Sequence, residues 1–326
     1  MFKKPYRWAA LYAAVLILFT LYAVLDTFVI PRTYAVVEPN SQTESSLSYS
    51  SSSAVNDNNS SSSSAETVSQ SESSKSSVVT DPIVTASSYQ DANISIKITA
   101  YRKYGTDIYV ADVVVSDASY LKTAFAQSTF GRNITEKTSV IAGETNAILA
   151  INGDYYGARK TGYIIRNGAI YRSTSYDSSQ QDLVIYADGS FGIITEGEIS
   201  VEKLLQNGAV QVLSFGPALI QNGAVAVSKN EEVDKAMISN PRTVLCMIDD
   251  LHYLLVVADG RTSESTGLSL YEMAQFLQTL GVKTAYNLDG GGSSTMVFNG
   301  KVINNPTTNG RQITERSVSD IVCIGY

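Results

Sequence analysis

The chain has 326 residues, with 24 Lys and Arg against 31 Asp and Glu and a formal net charge of −7. Clustered cations of the kind that grip a phosphate backbone are missing from it, which argues against a nucleic-acid partner. A single histidine, His252, argues equally against histidine-dependent triads and His-rich zinc sites.

Lys3, Lys4 and Arg7 precede an uncharged stretch from Trp8 to Leu25, followed by Asp26 and the apolar patch Phe28-Val29-Ile30. A membrane span needs about 20 mostly apolar residues, whereas the apolar part of a cleaved signal peptide runs to about 7–15. Residues 8–30 therefore read as a retained transmembrane anchor, with a cut after Ala35 as the alternative. The basic residues ahead of it place residues 1–7 in the cytoplasm and everything after the span outside the cell membrane. Residues 31–92 follow as a linker. Roughly half of residues 41–77 are serine, too polar to offset the entropy of ordering, so this segment is expected to be a disordered tether with a reach of about 35–40 Å.

A single domain is expected from 93 to 326. Ile94, Ile96 and Ile98 alternate with polar residues, and a second strand over Ile108 to Val115 follows a turn at Gly105-Thr106-Asp107. Asn167-Gly168 and Asp188-Gly189 mark two further hairpins, Tyr163–Tyr171 and Leu183–Ile194. Helices are expected at Ser139 to Thr145, at Val201 to Leu205 and at Leu270 to Leu280. The last is the clearest: Ser269 and Glu272 have capping-box spacing, Met273, Phe276, Leu277 and Leu280 share a face, and Gly281 closes the end. Many hairpins and few helices predict an α+β domain on a large, mostly antiparallel or mixed sheet. Cys246 and Cys323 each lie in an apolar run and read as core thiols, with a disulfide left open because spacing does not supply bridge geometry.

Chemistry is expected where apolar strands run into polar residues, because strand ends aim side chains rigidly. Four such places occur: Asn152-Gly153-Asp154 after Ala147–Ile151, Gly216-Pro217 after Val210–Phe215, Asp259-Gly260-Arg261 after Leu254–Ala258, and Asp289 to Thr295 after Thr284–Leu288. In the last, Gly290, Gly291 and Gly292 would let backbone amides approach an anion, with Ser293, Ser294 and Thr295 adding hydroxyls. The plainer reading is a hairpin loop joining Thr284–Leu288 to Met296–Phe298. Arg242, Arg261 and Arg316 flank strands and could form a guanidinium clamp on phosphate. Asp154, Asp259 and Asp289 could supply acid–base chemistry or converge on Mg²⁺ or Ca²⁺. His252 reads as a solvated turn residue.

In order along the chain, Ala150-Ile151-Asn152-Gly153-Asp154-Tyr155-Tyr156, Phe215-Gly216-Pro217-Ala218-Leu219, Asn240-Pro241-Arg242-Thr243, Ala258-Asp259-Gly260-Arg261, Asn287 to Met296 and Glu315 to Asp320 together resemble the phosphodiester glycosidase family. Each motif is weak alone. Asp154 departs from the family pattern, which has a second glycine there. The anchor and Ser-rich tether also differ from a plain secreted enzyme, and the tether suggests a cell-envelope role, as in bacterial members associated with exopolysaccharide. The resemblance implies hydrolysis of the sugar C1–O bond in a sugar 1-phosphodiester, with a phosphate-linked glycan as partner. It further implies that Asp289, with Asp259 or Asp154, is catalytic, and that Asn152, Arg242, Arg261, Arg316 and residues 290–295 bind substrate. Metal use and oligomeric state stay open. Two rivals stay open as well: a metal-dependent phosphodiesterase cleaving P–O, and a non-catalytic wall-glycan-binding module.

Overall fold

A computed structural model describes residues 7–33, 81–229 and 239–326. The Ser-rich segment and residues 1–6 lie outside the described residues. The first element is the helix Arg7–Phe28, apolar on all sides and exposed along its length. Its segment Arg7–Thr27 is long and apolar enough to cross a membrane, and fits a retained anchor or a signal sequence alike. Directly after it, Arg32–Thr33 pairs with Gly131–Arg132.

The rest is built on three antiparallel sheets. The largest has nine strands, in the order Ala224–Val225, Ala218–Gln221, Thr284–Asn287, Arg242–Asp249, His252–Ala258, Thr106–Val115, Ile94–Lys103, Ser88–Gln90 and Ile83–Val84. A five-stranded sheet runs Lys301–Val302, Met296–Phe298, Leu149–Asn152, Asp320–Ile324, Leu121–Phe125. A second five-stranded sheet runs Ala169–Arg172, Ile164–Arg166, Ala209–Leu213, Gln181–Tyr186, Phe191–Thr195. The inner faces of all three share one core, to which Ile96, Val113 and Leu255, Ile151 and Val322, and Leu183 and Leu213 contribute. Each outer face carries one of the predicted helices: Leu270–Thr279 on the nine-stranded sheet, Thr138–Glu144 on the first five-stranded sheet and Val201–Gln206 on the second. This is the α+β architecture expected, with the pairing antiparallel throughout these sheets.

The predicted capping box is formed: Ser269 Oγ accepts from the Glu272 amide and the Glu272 carboxylate accepts from the Ser269 amide at 2.9 Å. Leu270, Met273, Ala274, Phe276 and Leu277 are the buried face. Ser269→Ala is expected to cost about 1 kcal/mol, read as a lower urea midpoint with unchanged slope; an unmoved midpoint would show that the cap is dispensable.

Three local differences from expectation have plain causes. The first hairpin turns at Tyr104-Gly105, both at positive φ, and Thr106 already belongs to the returning strand. Ser88–Gln90 and Ile83–Val84 join the large sheet ahead of residue 93, where only Tyr89 is buried, so no apolar alternation marks them. Met296–Phe298 does not form a hairpin with Thr284–Asn287: the two strands belong to different sheets, and the glycine-rich segment carries the chain from one to the other. Cys246 and Cys323 are free and buried, one in each of those sheets. Burial pushes the Cys323 thiol up to about 12, the behaviour of an unreactive core thiol.

Candidate active site

The site forms where the ends of the nine-stranded sheet meet the first five-stranded sheet. Arg242 opens its strand and pairs with Ala258, so Asp259-Gly260-Arg261 emerges beside it. On the other side the Leu288 amide donates to the Thr243 carbonyl at 2.9 Å, which brings Asp289 and Gly290 alongside. Arg316 arrives from the segment before the last strand, its amide donating to the Gly292 carbonyl at 3.2 Å.

Together these residues line an open cleft of about 210 Å³, with Arg242, Arg261, Arg316, Asp289, Gly290 and Gly291 in its wall. Three arginines and one carboxylate thus line a single cleft in a protein of net charge −7. Asp289 is 8% exposed; burial raises its pKa above the ordinary carboxylate value, and Arg316 opposes that rise. Arg316 Nη2 donates to the Asp289 carboxylate at 2.9 and 3.2 Å and its Nε to Ser293 Oγ at 2.8 Å. Arg261 is held by Asn240 Oδ1 at 3.0 and 3.2 Å and by the Thr308 carbonyl at 2.6 Å. Burial and the charge of Arg316 both lower its pKa, and the charge of Asp289 opposes them. Arg242 is 3% exposed and donates from Nε to the Leu268 carbonyl at 2.9 Å.

Glycine is required at the loop for a different reason than expected. A Cβ at Gly290 would lie 2.8 Å from the Pro241 carbonyl, and one at Gly291, at φ 62°, 2.8 Å from Arg261 Nη2. The amides of Gly291, Ser293, Ser294 and Thr295 are satisfied within the protein, by Pro241, Gly290, Gly291 and Asn152 respectively. Ser294 Oγ and Thr295 Oγ1 are buried without a hydrogen-bond partner among the described residues, and neither these two residues, nor Gly292, nor Ser293 lines the cleft. Of residues 290–295, Gly290 and Gly291 are the two that line the cleft.

The three aspartates do not converge. Asp259 is 2% exposed, outside the cleft lining, and accepts from Asn304 Nδ2 and the Asn305 amide at 2.9 Å; it pins the segment after Lys301–Val302. Burial raises its pKa, opposed by those same hydrogen bonds. Asp154, fully buried, accepts from Arg166 Nη2 at 2.9 Å and the Ser214 amide at 2.8 Å. Arg166 also donates to Asp320 at 2.8 Å, making a buried Asp154–Arg166–Asp320 triad. Among the described residues no three His, Cys, Asp or Glu side chains form a group able to hold a metal ion, and these three aspartates are not brought together as one. Asn152 likewise lies under the site instead of in the cleft: it donates to the Asp289 carbonyl at 2.6 Å and accepts from Thr243 Oγ1 at 2.8 Å and the Thr295 amide at 3.3 Å. One amide side chain thus joins both sheets beneath Asp289. His252, expected to be solvated, pairs with Asp112 at 2.7 Å at the far end of the strand from Arg261.

Sequence reasoning did not assign Tyr155, Phe215 or Asn240 to the site, yet all three line the cleft. The available signal was position: each sits in a motif at a strand end. Tyr155 and Arg261 are also held at φ 68° and 65°, a backbone region unfavourable to side chains that clusters at functional sites.

Residues 145–325 match the phosphodiester glycosidase family. The chain is 26% identical over 277 residues to the SPbeta prophage-derived uncharacterized protein YomE of Bacillus subtilis, covering 77% of this chain and 40% of that protein. It is 32% identical over 213 residues to N-acetylglucosamine-1-phosphodiester alpha-N-acetylglucosaminidase of Mus musculus, covering 59% of this chain and 40% of the enzyme; it thus spans less than half the length of either relative. The zebrafish catalytic domain of the same enzyme, in a form auto-inhibited by its pro-peptide, aligns with a TM-score of 0.56 at 25% identity, over 72% of this chain and 83% of that one. With the family match extending over more than half of the chain, from the strand leading to Asn152 through the last strand, this protein belongs to the phosphodiester glycosidase family.

Proposed function

We propose that this chain is a hydrolase that cleaves the C1–O bond of sugar 1-phosphodiesters, facing outward from the membrane and acting on phosphate-linked glycans of the cell envelope or exopolysaccharide. The observation that carries the reading is the cleft itself: Arg242, Arg261 and Arg316 around the buried carboxylate of Asp289. Guanidinium forks suit a phosphodiester and stabilise the charge that gathers on its oxygens as the C1–O bond breaks. A phosphate leaves without a strong general acid, so one carboxylate suffices where ordinary glycosidases use two. Asp289 stabilises the oxocarbenium-like carbon and activates water, while Asp259, Asp154 and Asn152 act as positioning residues. The activity of the mouse and zebrafish relatives on N-acetylglucosamine 1-phosphodiesters supports the reaction class, and the apolar helix Arg7–Phe28 supports attachment to the membrane by residues 8–30. The domain from 93 to 326 would carry the activity, beyond the linker 31–92.

The test is hydrolysis of N-acetylglucosamine 1-phosphodiesters, and of wall-derived diesters, in ¹⁸O-water. Label is expected in the released sugar. Label in the phosphate would reassign the enzyme as a P–O-cleaving phosphodiesterase, and binding without turnover of any of these would make it a glycan-binding module.

A further inference from the structure

We propose that Phe215 and Tyr155 form the platform for the sugar ring, and that Arg159 and Tyr176 hold that platform rigid, a role that rests on the phosphodiester reading above. The cleft is chemically divided. Its cations lie around Gly290 and Gly291, whereas Phe215, Tyr155 and Leu288 supply its carbon surface. A sugar 1-phosphate has the same division: an anionic end, then a ring whose C–H face is apolar and stacks on aromatic side chains. With phosphate at the arginines and C1 at Asp289, the ring reaches the aromatic wall.

Two independent features show that this wall is built and not incidental. The Arg159 guanidinium lies between two rings, 4.6 Å from the centre of Tyr176 and 5.5 Å from that of Phe215, a cation–π stack that fixes the orientation of Phe215. Arg159 is itself held, by its Nη1 donating to the Ser214 carbonyl at 3.3 Å and by Arg172 donating to its carbonyl at 2.8 Å. The Tyr176 backbone is tied down by the buried carboxylate of Glu196, which also accepts from Ser214 Oγ at 3.1 Å. Tyr155, which also lines the cleft, sits at φ 68° with 45% of its surface exposed, so its ring is accessible to a ligand held there.

The experiment is calorimetric titration of the full chain with inorganic phosphate and with a panel of glycosyl 1-phosphates, including N-acetylglucosamine 1-phosphate. At least one sugar phosphate should bind roughly tenfold more tightly than phosphate, the scale of a good aromatic contact. Phe215→Ala should abolish that advantage and Arg159→Gln should weaken it, with phosphate affinity unchanged in both. A merely structural role for Arg159 would move both ligands together. The platform is overturned if no sugar phosphate outbinds phosphate, or if Phe215→Ala keeps the advantage; the phosphate clamp survives either result. Failure of both ligands to bind would overturn the clamp and the platform together.

Discussion

Replacing Asp289 by Asn is expected to lower kcat on a sugar 1-phosphodiester by about 10²–10⁴-fold, the range typical of a residue doing acid–base work, with the fold retained. The amide has the shape of the carboxylate and keeps an oxygen toward Arg316, which donates to Asp289 at 2.9 Å. Backbone anchoring is untouched, since Asn152 grips the Asp289 carbonyl and not its side chain. Circular dichroism and the urea midpoint should stay close to those of the parent chain, and full activity in this variant would remove Asp289 from the mechanism. The pH dependence carries a sign. Burial lifts the Asp289 pKa above the ordinary carboxylate value, and the ionised form is the working one. Consequently kcat/KM should fall as pH drops through that raised value, earlier than for an exposed aspartate. A rate that rose on acidification over the same range would make Asp289 a proton donor instead.

Arg166→Met should produce the largest loss of stability, about 3–5 kcal/mol, because it strips the cation from two buried carboxylates. Arg166 is 2% exposed and is the shared partner of Asp154 and Asp320, both fully buried. Burial alone would lower the Arg166 pKa, but the two aspartates outweigh it and leave the guanidinium charged. Burial and the charge of Asp154 raise the Asp320 pKa, with Arg166 restraining the rise. A carboxyl whose folded pKa exceeds its unfolded one contributes stability below the unfolded value and loses it as pH rises through the folded value. Removing Arg166 raises the Asp320 carboxyl further, so the deficit should be largest near neutral pH and shrink on acidification. Urea unfolding across that range measures it, and adding Asp320→Asn should restore part of the loss. A deficit independent of pH would mean that Arg166 acts through packing alone.

The triad also shows why the aspartates were hard to sort from the sequence. Asp154, Asp259 and Asp289 each follow an apolar strand, and local pattern treats them alike. What separates them is non-local: Arg166 meets Asp154, Asn304 and Asn305 meet Asp259, and only Asp289 meets the cleft. The same holds for the three-glycine segment. Its composition shows that something must approach the backbone closely, and that something turns out to be the Pro241 carbonyl and the Arg261 side chain.

From the sequence alone came the elements whose causes are local. Turn residues marked the hairpins at Asn167-Gly168 and Asp188-Gly189, the Ser269–Glu272 box and apolar period marked the helix Leu270–Thr279, and six motifs in order marked the family. Tertiary structure alone decided which strand joins which sheet, and hence that Thr284–Asn287 and Met296–Phe298 part company at the glycines. It also decided which arginines share a cleft and which carboxylate lies among them, and it brought Phe215 and Tyr155 to the same cleft. The physical reason is range: turns and caps are fixed by hydrogen bonds a few residues apart, whereas the cleft is assembled by contacts such as those of Asn152 with Thr243, Asp289 and Thr295, which no local pattern encodes.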